Sequence, residues 1–278
     1  MNLRSGLIAG LIWLCGAGLA RGADLTDGVP GHPGLTYFNL MKLVVTDLTP
    51  GGADGATGHA LVPFPRDGGK DTKADQPDTI TLKSVEVMPI PGEPSRVVLL
   101  ADLGPQEGDV ADADVLALFT LAPTPRLLDI MAVGTDRFVC LCGDKPVMLA
   151  PSVPLILISS EHDNSNQSYQ STEMIFLRGD KFQSIGSVFA FGDATCSYRR
   201  TQTPDFKTLA SPGPYRALRV TVSEEVTAPG DRCGENHKPP RTHTTIYQAT
   251  YRWDARRGRF VTRSKELKRL ADEDQERF

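Results

Sequence analysis

Between residues 79 and 262, apolar side chains either alternate with polar ones or gather into short runs, the pattern of strands rather than helices. Turn residues separate the stretches. Pro91 and Gly92 divide 79–88 from 96–101, and Pro123 and Pro125 divide 115–121 from 126–133. Gly179 and Asp180 lie between 173–177 and 182–191, and the segment from Asp254 to Gly258 lies between 246–253 and 259–262. Proline fixes φ and glycine tolerates positive φ, so each unit reads as a hairpin. With the compact run at 155–159 and the alternating Leu218, Val220 and Val222, the pattern predicts a mostly β chain. We expect about ten antiparallel strands in consecutive hairpins, sandwich or propeller-like. The hairpins start at uneven intervals, so no regular repeat is expected.

Helical periodicity is confined to the two ends of this stretch. Leu40, Met41, Val44 and Leu48 recur at spacings of three and four behind Thr36, which predicts a helix over 35–48. Residues 49–78, rich in Gly, Asp and Pro, read as loop. A second helix is expected over 264–276, capped by Ser264 and supported by a Glu273–Arg277 pair. The whole describes a single domain over 23–278 with its β core at 79–262.

Composition narrows the class. With 40% hydrophobic and 23% charged residues, the chain is neither disordered, collagen-like nor a coiled coil. A net charge of −4 argues against a whole-surface nucleic-acid binder. Residues 1–22 stand apart: Arg4 precedes an uncharged apolar run at 6–20, followed by the small residues Ala20, Gly22 and Ala23. That is a secretory signal peptide, cleaved after Ala20 or Gly22, and too short for the roughly 20 residues of a membrane span. Leu14 is too bulky to precede a lipid-modified Cys15. Removing residues 1–22 takes away Arg4 and Arg21 and no acid, moving the net charge from −4 to −6. The mature chain is therefore expected in the periplasm or secreted, with no later membrane span.

Export changes how cysteine is read. Cys140, Cys142, Cys196 and Cys233 remain after cleavage, an even number suited to disulfides. A Cys196–Cys233 bond is the expected staple. Cys140 and Cys142 share one face of a strand and form either a local bridge or two thiols.

Motif-borne chemistry is sparse. The chain has no Gly-x-Ser-x-Gly elbow, no His-Glu-x-x-His helix and no Gly-x-Gly-x-x-Gly turn. Gly69 and Lys70 end a phosphate-loop-like stretch, but Phe64 occupies its first glycine position. Cys233, His237 and His243 have zinc-like types, yet a disulfide with solvent histidines suits an exported chain better. The acidic loop at 102–109 carries Gly104 and Gln106 where calcium needs carboxylates. No metal or cofactor is expected.

Two surfaces remain. The polar segment 159–169 holds Ser159, Ser160, Glu161, His162, Asp163, Asn164, Ser165, Asn166 and Tyr169. It reads as a long hairpin connection at the mouth of the β core. Glu161, His162, Asp163, Asn164, Asn166 and Tyr169 are its candidate ligand contacts. Between residues 252 and 269, eight basic residues face only Asp254 and Glu266. Arg256 and Arg257 at the turn are candidate contacts for an anionic envelope polymer or an acidic protein. Tyr247, Ala249, Tyr251 and Trp253 share the opposite, core-facing side of this hairpin with Phe260. The expected function is an exported, non-enzymatic binding or envelope-associated accessory protein. The competing expectation is an exported hydrolase using His162 with a nearby serine.

Overall fold

A computed structural model describes residues 21–52, 55–63, 77–105, 112–134, 136, 138–164, 166–228 and 241–277. The strands are β1 (Arg21–Asp24), β2 (Thr49–Pro50), β3 (Ala56–Gly58), β4 (Ile80–Leu82), β5 (Ser84–Pro89) and β6 (Arg96–Pro105). They continue as β7 (Asp112–Thr120), β8 (Arg126–Val133), β9 (Cys140–Ala150), β10 (Val153–Asp163) and β11 (Gln167–Arg178). The last are β12 (Lys181–Ala194), β13 (Arg199–Leu209), β14 (Ala217–Thr227), β15 (His243–Asp254) and β16 (Arg259–Val261). Two helices, α1 (Tyr37–Met41) and α2 (Glu266–Gln275), lie one near each end among the described residues. Strands make up 60% of the structure, and among the described residues every sheet is antiparallel and no barrel closes.

The layers follow from which strands are apolar on both faces. In β6 and β7, Val97, Leu99, Ala101, Val115, Ala117 and Phe119 point one way and Val98, Leu100, Leu116 and Leu118 the other. Alternation on a pleated strand sends these two sets to opposite sides. The five-stranded sheet β1-β5-β6-β7-β8 therefore needs cover on both faces. On one side it receives Leu40, Met41, Val44 and Leu48 from α1 and the turns after it, with Ile80 and Leu82 from the small sheet β2-β3-β4. On the other it meets Ile156, Ile158, Ile175 and Leu177 from β10 and β11.

Those strands are again apolar on both faces, since Leu155, Leu157, Met174 and Phe176 point away from the first sheet. Their cover comes from the same eight-stranded meander, β9 through β16. Strands β12 and β13 pair at only three positions, Gly192–Thr201, Asp193–Arg200 and Ala194–Arg199, and then diverge. The sheet bends there. Leu218, Val220, Val222 and Ala249 of the second half consequently face β10 and β11 across a third core. Phe176, Tyr215, Trp253 and Phe260 meet within it, mostly edge to face, with ring centroids 4.8–6.1 Å apart. The architecture is thus stacked antiparallel layers, the mostly β fold that the sequence pattern predicts.

Helix α2 seals the bend. Leu267 and Leu270 enter the third core, and Asp274, one turn further along the same face, is 0% exposed. Gln202 Nε2 donates to Asp274 Oδ1 (3.1 Å) and to Glu224 Oε2 (2.9 Å), while its Oε1 accepts from the Phe191 amide (2.9 Å). Arg277 closes the network at 2.6 Å from Asp274. Burial pushes the Asp274 carboxyl above the usual carboxylate range, against the opposing pull of Gln202 and Arg277.

Both helices are shorter than their periodicity predicts. Thr36 caps α1 in a reciprocal box with Asn39, but regular helix ends at Met41. The β-branched Val44, Val45 and Thr46 favour extended backbone, and pairing with the segment after β3 takes over. The Thr46 amide donates to Ala60 (2.8 Å) and the Val62 amide to Val44 (2.9 Å). The segment 49–78, expected as loop, supplies β2 and β3, and residues 64–76 of it lie outside the described residues. Ser264 bonds both the Glu266 amide and the Gln248 carbonyl, so it ties α2 to β15 although the N-cap position falls on Lys265.

Three variants and one pH dependence test this packing. Trp253→Ala should cost about 3 kcal/mol, read by denaturant unfolding, because it opens the third core. Arg256→Glu with Arg257→Glu, on exposed turn positions, should stay within about 0.5 kcal/mol of the parent. Arg277→Ala should cost about 2 kcal/mol near neutral pH by leaving a buried carboxylate without its cation. With its folded pKa raised, Asp274 favours the fold below the unfolded carboxylate range. That contribution is lost as pH rises through the folded value. Lowering the pH toward that range should therefore restore part of the stability that Arg277→Ala removes.

Candidate functional site

The polar segment 159–169 is not a loop. Strands β10 and β11 run through it, leaving only a tight turn around Asn164–Asn166. Asn164 makes that turn: its Oδ1 accepts from the amides of Gln167 (3.0 Å) and Asn166 (3.3 Å), and its own amide donates to Gln167 O (2.9 Å). The polar residues alternate like the apolar ones before them. Ser159 and Glu161 continue the face of Leu155 and Leu157, and Ser160 and His162 continue that of Ile156 and Ile158. The strands outrun the core, so the pattern stays at period two while the chemistry turns polar. Glu161 Oε1 accepts from its cross-strand neighbour Gln170 at 2.9 Å.

On the other face, His162 stands directly opposite Tyr169, their rings 5.2 Å apart and parallel within 2°. Phe189 of β12 extends the stack, 5.4 Å from Tyr169. Asp136, from the β8–β9 connection, meets this ladder and is only 5% exposed. Its Oδ1 lies 3.2 Å from His162 Nδ1, and its Oδ2 accepts the Tyr169 hydroxyl. Burial first, and then the Asp136 carboxylate, push the Tyr169 phenol up to about 12. The connection is folded over the strands at Gly134, whose amide donates to Glu173 Oε1 (2.8 Å). With φ at 84° and an added Cβ 2.7 Å from the Val139 side chain, this position requires glycine.

The carboxylate beside His162 Nδ1 is thus Asp136, while the adjacent Asp163 ends β10 exposed to solvent. A partner twenty-six residues away leaves no local pattern. The serines beside His162 are shut in. Ser159 is on the opposite strand face at 0% exposure, and Ser160, on the same face, is 1% exposed beneath Gly134. Ser165 lies outside the described residues.

Next to the ladder, toward the Asn164–Asn166 turn where Gln167 pairs with Asp193, an open cleft of about 630 Å³ is lined by Asn164, Asn166, Gln167, Asp193, Thr195 and Cys196. Asp193 is fixed in its wall by the Tyr198 hydroxyl (2.7 Å). Cys233 lies outside the described residues, as does His237. Among the described residues no three His, Cys, Asp or Glu side chains gather as metal ligands.

The arginine turn is elsewhere. Asp254 Oδ1 caps it by accepting from the amides of Arg256 (2.9 Å) and Arg257 (3.1 Å). Arg178 lies over the Trp253 ring and donates to Gly258 O, which places the turn beside the β11–β12 connection. His162 and Arg256 therefore sit at opposite ends of β11, about 30 Å apart at ~3.3 Å per residue. They form two surfaces, not one site.

The ladder has a spectroscopic signature. In Asp136→Asn the ultraviolet titration of Tyr169 should move down from about 12 while staying above the ordinary phenol value, because burial remains. Stability should fall by about 1–2 kcal/mol. An unchanged titration would remove Asp136 from the site. Compared with family models, curated proteins and solved structures, the chain matches none, so the reading of this site rests on its own geometry.

Proposed function

We propose that the chain is an exported, non-enzymatic binding protein, acting in the periplasm or secreted as an envelope-associated accessory factor. Its recognition surface is the end of β10–β12 that carries His162, Tyr169 and the Asn164–Asn166 turn. The observation behind this reading is the convergence of His162 Nδ1 and the Tyr169 hydroxyl on one buried carboxylate, beside an open polar cleft. Side chains fixed before a ligand arrives lose little entropy on binding. Phe138 adds an apolar contact on the same connection as Asp136: it is 73% exposed and holds φ at 55°, a conformation a non-glycine residue rarely adopts. Glu161, Asp163, Asn164 and Asn166 supply hydrogen-bonding groups around this end.

Two further features bear on the reading. A signal peptide cleaved after Ala20 leaves β1 whole against β5, whereas cleavage after Gly22 removes half of it, so Arg21 is the favoured mature N-terminus. Among the described residues no helix is long and apolar enough to cross a membrane. At the far end of β11, exposed Arg252, Arg256, Arg257 and Arg259 form a second contact surface for an anionic envelope polymer or acidic protein. The hydrolase reading keeps one supporting observation, the His162–Asp136 pair, which matches the base and orienting acid of a triad. Against it stands the burial of Ser159 and Ser160.

A thermal-shift panel of mono- and oligosaccharides, amino acids and dipeptides tests the first surface. A bound ligand at a hundred times its Kd should add about 2.7 kcal/mol of stability. Tyr169→Ala should abolish that gain. Turnover of an ester, glycoside or peptide substrate that disappears in folded His162→Ala would replace binding by hydrolysis. Retention on immobilised heparin should weaken in Arg256→Glu with Arg257→Glu and with rising salt. Retention unchanged by the double reversal would exclude the arginine turn as the anion surface.

A further inference from the structure

We propose that Cys140 and Cys142 form a redox-active dithiol that closes reversibly to a disulfide by exchange with an external disulfide. Both cysteines lie on β9, the end strand of its sheet, and as alternate residues they point to one face. Their sulfurs are already 3.2 Å apart, and both side chains are half-buried rather than sealed in. The ladder beside them is irregular. Cys142 opposes Leu157 and Val147 opposes Leu155, so residues 143–146 bulge against the single Ile156. Between the cysteines, Leu141 enters the second core with Met88 and Ile90 while Cys142 packs against the third, and the Leu141 amide donates to Glu86 Oε2 (2.8 Å).

Two residues of extended strand span roughly 6.6 Å, the upper edge of the Cα separation a disulfide accepts, so the oxidised ring must contract the strand. Such a ring is more readily reduced than a relaxed structural bridge, which makes the pair exchangeable. The step balances as two successive displacements. One cysteine thiolate attacks the external disulfide and expels its first thiol. The second cysteine thiolate then attacks the mixed disulfide and expels the other thiol. The two cysteines together lose two electrons and two protons, and the external disulfide gains them.

The test uses the full mature chain, reduced under native conditions, exposed to graded ratios of oxidised and reduced glutathione, acid-quenched, alkylated and peptide-mapped. Cys140 and Cys142 should lose alkylation together as the ratio becomes oxidising, their shared peptide should lose two hydrogens in mass, and reduced glutathione should reverse both. Cys140→Ser should leave Cys142 as a persistent glutathione adduct, the intermediate trapped without its resolving thiol. The proposal fails if both sulfurs stay alkylated at every ratio. It also fails if they form independent adducts, or if either pairs with Cys196 or Cys233.

Discussion

The structure depends on strands that are apolar on both faces. Ile156 and Ile158 on one side of β10, Leu155 and Leu157 on the other, cannot be satisfied by a two-layer sandwich. Each such strand must lie in the middle of something. The five-stranded sheet covers one face of β10 and β11, and the chain covers the other by folding its own meander back on itself. The three-residue pairing of β12 with β13 is what permits this. A fully paired β12–β13 ladder would carry Leu218, Val220 and Val222 away from Phe176 and leave both apolar faces in water.

The candidate site grows from the same geometry. Strands β10 and β11 continue past the core they were built to fill, and the alternation that buried isoleucine and leucine now presents histidine, tyrosine and serine. Asp136 reaches them because β8 ends where the covering sheet ends, and Gly134 turns the connection inward. A buried carboxylate needs donors, and it takes them from the imidazole and the phenol. At the same end of β11 and β12, Asp274 meets the same demand through Gln202 and Arg277, whose carbonyl accepts from Gln167 beside the cleft. Both carboxylates mark places where the sheet layers stop and polar side chains close the gap.

Much of the fold was legible from alternation and turn residues. The hairpins at 115–133, 173–191 and 246–262 sit where Pro, Gly and Asp place them, and Trp253 faces Phe260 as period two requires. The strand β13 was not legible, because Pro204 and the polar residues around it give no apolar period. It is recruited by pairing with β14 along its full length, a tertiary effect. The extent of β10 and β11 was hidden for a related reason: a polar run suggests a loop, yet here it continues a ladder. His162 and Tyr169 were visible as candidate contacts, whereas Asp136 was not, since its partners lie on other strands and only the fold unites them.

The account rests most heavily on the bond between His162 and Asp136, and the imidazole tautomer reports it directly. A carboxylate at Nδ1 requires the proton to sit on that nitrogen in the neutral ring, leaving Nε2 without one. Long-range proton–nitrogen NMR correlation of the His162 ring distinguishes the two forms. The structure predicts the Nδ1–H tautomer in the parent chain, shifting toward the usual mixture in Asp136→Asn. A neutral His162 found in the Nε2–H form in the parent would contradict the site.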